Sequence, residues 1–203
     1  MTSTSAGAPG ATPTVTTVVS STRWRTRDIL VTAIIGVAFG VAFVALNTAW
    51  SLLAPASAAA PLVAFLIYGG WLVPAVLAPL IVRKPGAALY AELVAAGVST
   101  LLGSPWGPDV LLSGFVQGAA AELIFAFTLY RNWSLPVLVI ASVASAAAAW
   151  IHDWALWYAD VAVDVQVMRG IAMALSSIVI VAFGSVVLVR VLRRAGVLEG
   201  FAG

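Results

Sequence analysis

Two carboxylates stand where a carboxylate is expensive. Glu92 and Glu122 lie inside long apolar runs. A charge at the bilayer centre costs on the order of 3 kcal/mol on insertion scales, so such residues normally face a bundle interior or a cavity. No basic residue lies deep in any run to neutralise them. They are protonated, paired with polar groups, or open to a cationic ligand. Along a helix Glu92 lies about 9 Å from Gly86 and Glu122 about 12 Å from Tyr130, so the two could face each other or share a polar cavity. Gln117 lies in the same run as Glu122, and Asn47 is polar within the first run. Gln117 and Glu122, five residues apart, are turned about 140° from one another around an axis and could flank a wide cavity.

A second constellation is Trp150-Ile151-His152-Asp153-Trp154-Ala155-Leu156-Trp157-Tyr158. Trp150, Asp153, Trp154 and Trp157 share a face by helical spacing. An interfacial aromatic belt accounts for the tryptophans, but it does not need an aspartate between them. A carboxylate flanked by indoles suits an aromatic cation, with cation–π contact contributing roughly 0.5–2 kcal/mol and the carboxylate adding charge and hydrogen bonding. His152, turned about 100° from Asp153, reads as an interface residue. Trp50, Trp71 and Trp106 fall near the same end of the chain's apolar runs.

The elements that position these groups must live in lipid. The 203 residues are 62% hydrophobic and 9% charged, against about a quarter charged in a soluble domain. Crossing the hydrocarbon core takes about 20 apolar residues. Six stretches approach or exceed that: 29–53, 61–82, 86–103, 110–130, 134–157 and 168–190. Strict alternation over ten residues is absent, so helices and not a barrel cross the membrane. The expectation is an all-α integral membrane protein, a compact bundle of about six transmembrane helices, in a single domain over 23–194. Residues 1–22 read as a flexible tail without charge, and 195–203 as a short cytoplasmic tail. The first apolar run is too long for a cleaved signal and reads as a retained helix.

Charge sets the expected orientation. Arg23, Arg25, Arg27, Arg83, Lys84, Arg131, Arg190, Arg193 and Arg194 fall on one side of a six-helix arrangement, and Arg169 falls on the other with Asp109, Asp160 and Asp164. The positive-inside rule then predicts a multi-pass protein of the cell membrane with both termini in the cytoplasm. In the first helix Ala38, Ala42, Ala45 and Ala49 form one row of small residues, and Thr32, Gly36 and Gly40 another. Small residues at this spacing admit a close helix, either within the bundle or on another membrane subunit.

Several chemistries are excluded. With no cysteine there is no disulfide or thiolate site, and one histidine makes a transition-metal site improbable. There is no phosphate-binding loop, G-x-S-x-G elbow or H-E-x-x-H helix. No basic stripe with interleaved aromatics supports nucleic-acid binding.

A set of segments stands out together: Trp24 with Arg27-Asp28-Ile29; Arg83-Lys84-Pro85-Gly86-Ala87-Ala88 with Ala91-Glu92; Trp106-Gly107; Gln117-Gly118 with Ala121-Glu122-Leu123; and Tyr130-Arg131. On these residues the chain resembles the YkoE family of thiamin-related substrate-binding subunits, the S components of energy-coupling-factor (ECF) ABC transporters. The likeness runs over about residues 24–190. The resemblance implies a subunit that binds thiamin or its hydroxymethylpyrimidine moiety from outside. It also implies a transmembrane coupling protein and two ATPase domains as partners, which agrees with the absent phosphate loop. The resemblance further implies docking on the coupling protein through the small-residue face: Gly36, Ala38, Gly40, Ala42 and Ala45.

Position and chemistry nominate the ligand contacts: Glu122 and Gln117 first, then Glu92 and Trp106, then Asn47, Asp153, Trp154 and Trp157. Two other readings compete. A stand-alone secondary transporter would use Glu92 or Glu122 as a proton relay, but the expected inverted repeats are not seen. An intramembrane hydrolase would use Glu92, Glu122 and His152, but acid–base groups must lie within hydrogen-bond reach of the substrate, and His152 is expected at the opposite end from the glutamates.

Overall fold

A computed structural model describes residues 23–53, 55 and 62–199. The tail assigned to 1–22, most of the first loop and the last four residues lie outside the described residues. Every regular element described is helical. The first rod is α1, Thr26–Leu53. The second is a 3₁₀ segment, Ala64–Leu72, running into α2, Pro74–Val82. Then follow α3, Ala87–Leu101; α4, Asp109–Phe127; and α5, Leu135–Leu156. The last rod joins α6, Val163–Ser176, through a π-helical stretch, Ser177–Phe183, to α7, Gly184–Arg194. Five of these six rods are long and apolar enough to cross a membrane, and α3 is shorter. The six expected stretches are all present. The main differences are at the two ends: α1 starts at Thr26, and the last rod runs over 163–194 instead of 168–190.

The breaks follow backbone chemistry. α2 ends at Arg83 in a left-handed conformation (φ 52°), followed by Pro85 and then Gly86 at φ 85°. Glycine enters that region without a Cβ penalty, so the chain can reverse within four residues and start α3. The second rod is the centre of the bundle. All nine residues of α2 are buried, as expected of a helix apolar on every side. Leu72 and Leu77 of this rod, and Phe125, Leu138 and Met173 around it, are fully enclosed.

α1 buries one narrow stripe: Asp28, Thr32, Gly36, Gly40, Phe43 and Asn47. The two glycines press on α3. A Cβ at Gly36 would stand 2.7 Å from Val94 Cβ, and one at Gly40 would stand 2.6 Å from Val98 Cβ. Both are shorter than any contact a real side chain tolerates. The expectation that Gly36 and Gly40 belong to an outer docking face is therefore corrected: they are consumed by packing inside the bundle. Ala38, Ala42 and Ala45 lie on the exposed side.

One end of the bundle is basic. There Trp24 donates its indole N–H to Pro85 O (2.9 Å), and Lys84 Nζ stands 3.9 Å from the buried Asp28. At the far end the aromatic side chains of α1, the 3₁₀ segment, the α3–α4 loop and α5 come together.

The second rod is irregular for a reason that matters at that end. In a 3₁₀ helix residues three apart eclipse one another. Phe65, Tyr68 and Trp71 accordingly line up along one side, Phe65 stacked on Tyr68 and Tyr68 tilted against Trp71, with ring centroids 6.5 Å and 5.6 Å apart. Ser176, at the junction of α6 and the π stretch, holds the segment in place. It donates to Leu66 O (2.7 Å) and accepts from Gly69 N–H (2.9 Å).

Candidate substrate site

The far end opens into a cavity enclosing about 660 Å³ of empty space, its mouth included. Its floor comes from α3 and α4: Glu92, Ala96 and Ser99 from the first, Ser113, Gly114 and Gln117 from the second. One wall is aromatic, with Phe43, Trp50, Tyr68 and Trp71; Asn47 joins it from α1. The mouth is formed by Ser104, Trp106, Asp109 and Val110 facing His152, Asp153, Trp157 and Tyr158.

Small residues make room for the floor. A Cβ at Gly114 would meet Ala96 Cβ at 2.8 Å, and one at Gly118 would meet Leu89 Cα at 2.9 Å. α4 thus lies directly on α3, which brings Gln117 beside Glu92 in the lining. The Gln117 side chain donates from Nε2 to Ser113 Oγ (2.6 Å), and its backbone carbonyl accepts from Ser145 Oγ (3.1 Å). Glu92 is 1% exposed. The Ala75 backbone N–H serves its carboxyl, yet its Oε2 is buried with no hydrogen-bond partner among the described residues. A buried acceptor left unmet costs about 1–3 kcal/mol, more for a charged group. The fold therefore holds, on the cavity floor, an acceptor that a ligand donor can satisfy.

The aromatic wall is a continuous set of edge contacts. Trp50 meets Trp71 at 5.8 Å and Trp106 at 6.1 Å, and Trp106 meets Trp157 at 5.4 Å. Trp71 also donates its indole N–H to Asn47 Oδ1 (3.3 Å). Such a box has room and polarisability for flat rings, and its π faces attract cations.

Of the residues nominated from sequence, Gln117, Glu92, Trp106, Asn47, Asp153 and Trp157 line this one cavity. Two do not. Glu122, placed first, sits away from it at the basic end and accepts from Gly86 N–H (2.5 Å), Ala88 N–H (2.9 Å) and Tyr130 Oη (2.8 Å). These amides belong to the opening turn of α3, whose N–H groups have no partner within the helix. Glu122 is thus the missing cap of a neighbouring helix. The tyrosine beside it responds: burial and the Glu122 carboxylate push the Tyr130 phenol above its usual pKa range. Glu92 and Glu122 do not share a polar cavity. Trp154 is the second correction. It packs on Trp150 (5.1 Å), whose indole donates to Gln166 O (2.9 Å) and covers Gly170 of α6. The face expected to carry four residues is split between the cavity and α6.

Sequence reasoning missed Asp109, read only as a charge at that end. It also took His152 for an interface residue, whereas His152 is 8% exposed and lines the mouth. Tyr68 was missed although it lies three residues before Trp71, a spacing that puts the two on one side of a helix. A usable signal was the isolated Asp109 opening an apolar helix straight after Trp106-Gly107-Pro108.

The two glutamates can be told apart by experiment. Glu122→Ala uncaps α3 and is expected to destabilise the protein by about 2–4 kcal/mol, read as a lower unfolding midpoint in detergent. Ligand affinity in the folded fraction should stay within about threefold of the parent, since a 1.4 kcal/mol difference is tenfold. A large affinity loss with unchanged stability would return Glu122 to the site.

Residues 27–148 match the family described as ABC-type cobalt transport system, permease component. A Bacillus subtilis (strain 168) protein, YkoE, named as a candidate HMP/thiamine permease, is 38% identical over 130 residues. That match spans 64% of this chain and 64% of the relative's length. A crystal structure described as an S-component of an ECF transporter superposes with a TM-score of 0.84 at 32% identity, covering 89% of this chain and 91% of that one.

Proposed function

From the premise that this chain belongs to the ABC-type cobalt transport permease family, as a YkoE-like S component of the ECF type and not an enzyme, we propose that it captures thiamin or its hydroxymethylpyrimidine precursor outside the cell. Delivery then runs through a membrane coupling protein driven by two ATPase domains. The observation that carries the ligand reading is the unmet Glu92 acceptor at the bottom of an indole-lined cavity. An exocyclic amine on a flat pyrimidine supplies the donor that Glu92 lacks. The indoles provide stacking surface for that ring and for a thiazolium cation. Glu92, Gln117, Asn47, Trp106, Asp153 and Trp157 are the contacts; Glu122 and Trp154 support the scaffold.

The charge asymmetry agrees with this direction of capture. With the basic end in the cytoplasm, the cavity opens outward and both termini lie inside. Docking on the coupling protein falls to the exposed row Ala38, Ala42 and Ala45 of α1.

The test is titration of the folded, purified protein with thiamin and with hydroxymethylpyrimidine, followed by tryptophan quenching and calorimetry. Saturable quenching by at least one compound is expected, because four indoles line the cavity. Absence of heat and quenching with both, in protein shown to be folded, would remove the ligand assignment.

A further inference from the structure

At the mouth of the cavity His152 stands between two aspartates that belong to different helices. Its Nε2 lies 3.2 Å from Asp109 Oδ1 on α4, and its Nδ1 lies 3.0 Å from Asp153 Oδ1 on α5. The second oxygen of each carboxylate is already engaged. Trp157 Nε1–H donates to Asp109 Oδ2 (2.8 Å), and Tyr68 Oη donates to Asp153 Oδ2 (2.7 Å). The result is one chain of contacts from Trp157 through Asp109, His152 and Asp153 to Tyr68, tying α5, α4 and the 3₁₀ segment across the opening.

Counting hydrogens decides what this chain requires. A carboxylate only accepts, and a neutral imidazole donates from one nitrogen alone. Both short contacts of His152 can be hydrogen bonds only if two protons are shared among the histidine and the two aspartates. The three groups then carry one net negative charge, whether the histidine is an imidazolium or one aspartate is protonated. With a single proton, one contact becomes a lone pair facing a lone pair, and the rim is broken at Asp109 or at Asp153, depending on which ring nitrogen keeps the proton. The two-proton state holds at low pH and is lost as pH rises.

We propose that His152 is a positioning residue of the site: while doubly hydrogen-bonded it holds Asp109 with Trp157, and Asp153 with Tyr68, as a closed rim, and its deprotonation loosens that rim. The charged and titratable groups around it are Asp109 on α4, Asp153 on its own helix, Tyr68 on the second rod and Tyr158 beyond α5. Glu92 lines the same cavity from α3, and the Arg169 guanidinium of α6 lies 4.3 Å from the Tyr158 ring. The proposal deepens the reading of the cavity as the ligand site, but access to the cavity can be measured with no ligand at all.

The chain has no cysteine, so Ser113→Cys on the cavity floor provides a single probe. Its labelling by a small water-soluble methanethiosulfonate is followed from about pH 6 to about pH 8.5, which brackets the usual histidine range. Taking the ratio of each rim variant to the Ser113→Cys parent at every pH cancels the ionisation of the thiol. His152→Ala is expected to label about tenfold faster than the parent at the low end, with the ratio falling toward one at the high end. Asp109→Asn is the decisive second variant. Its amide can donate to the Nε2 of a neutral histidine while its carbonyl still accepts from Trp157. One ring proton then suffices, and labelling should stay slow, about tenfold below the parent, at the high end. A His152→Ala ratio that is flat with pH, or an Asp109→Asn ratio near one throughout, overturns the proposal. If labelling behaves as expected while no thiamin-type compound binds, the rim stands and the ligand reading falls.

Discussion

Glu92→Gln is expected to weaken thiamin binding by about 100-fold or more while leaving the unfolding midpoint unchanged or raised. Removing one partner of a buried charged hydrogen bond costs on the order of 2–5 kcal/mol of binding, and 2.7 kcal/mol is already about 100-fold. The stability side has the opposite sign because the free protein bears the cost of this residue. Glu92 is fully enclosed with one oxygen unmet. A buried carboxyl without a counter-charge holds its proton, so a neutral amide of the same shape adds no charge cost and stability is kept. Loss of binding together with retained or improved stability is the signature of a side chain kept for a ligand. Quenching titration and thermal unfolding of the same preparation read both quantities. An affinity within about threefold of the parent would place the ligand elsewhere.

The second large effect concerns assembly. Ala38→Trp and Ala42→Trp are expected to abolish ATP-driven uptake, about tenfold or more, in proteoliposomes that also hold the coupling protein and ATPase subunits. Ligand binding to the isolated subunit should be unaffected. Both alanines lie on the exposed side of α1, where a tryptophan meets lipid and disturbs nothing inside the bundle. A partner helix that needs small residues for close approach would be held off. Unchanged uptake would remove this row as the docking face. Impaired ligand binding would show that the substitutions reach the fold. The glycine row cannot serve in this experiment, because Gly36 and Gly40 already touch Val94 and Val98 of α3.

These expectations show how far the sequence reached. The membrane setting and the six helical stretches needed no structure, because apolar runs of about 20 residues with almost no charge have one solvent. Pro and Gly marked the breaks, and the Lys84-Pro85-Gly86 turn fell between α2 and α3 where expected. Six of the eight nominated ligand contacts line one cavity because polar residues in a lipid-bound chain have few places to go.

The failures have a common cause. Glu92 and Glu122 looked equivalent along the chain, each a carboxylate in an apolar run. Their roles separate only across space, where Glu122 meets the uncapped first turn of α3 and Glu92 meets empty volume. The two small-residue rows of α1 were equally ambiguous, since spacing tells which residues share a face but not which neighbour lies against it. Tyr68 lies three residues before Trp71 and so on its side of the helix, but that this side meets Asp153 is a contact 85 residues apart that no local pattern encodes. His152 was set aside because its two partners lie one residue away and 43 residues away, and only the packing of α4 on α5 closes that distance. The chain's own chemistry thus determined solvent, helices and the candidate set. Tertiary packing decided which polar groups are spent on one another and which, Glu92 Oε2 among them, are left unmet among the described residues, because hydrogen bonds are satisfied by proximity in space and not along the sequence.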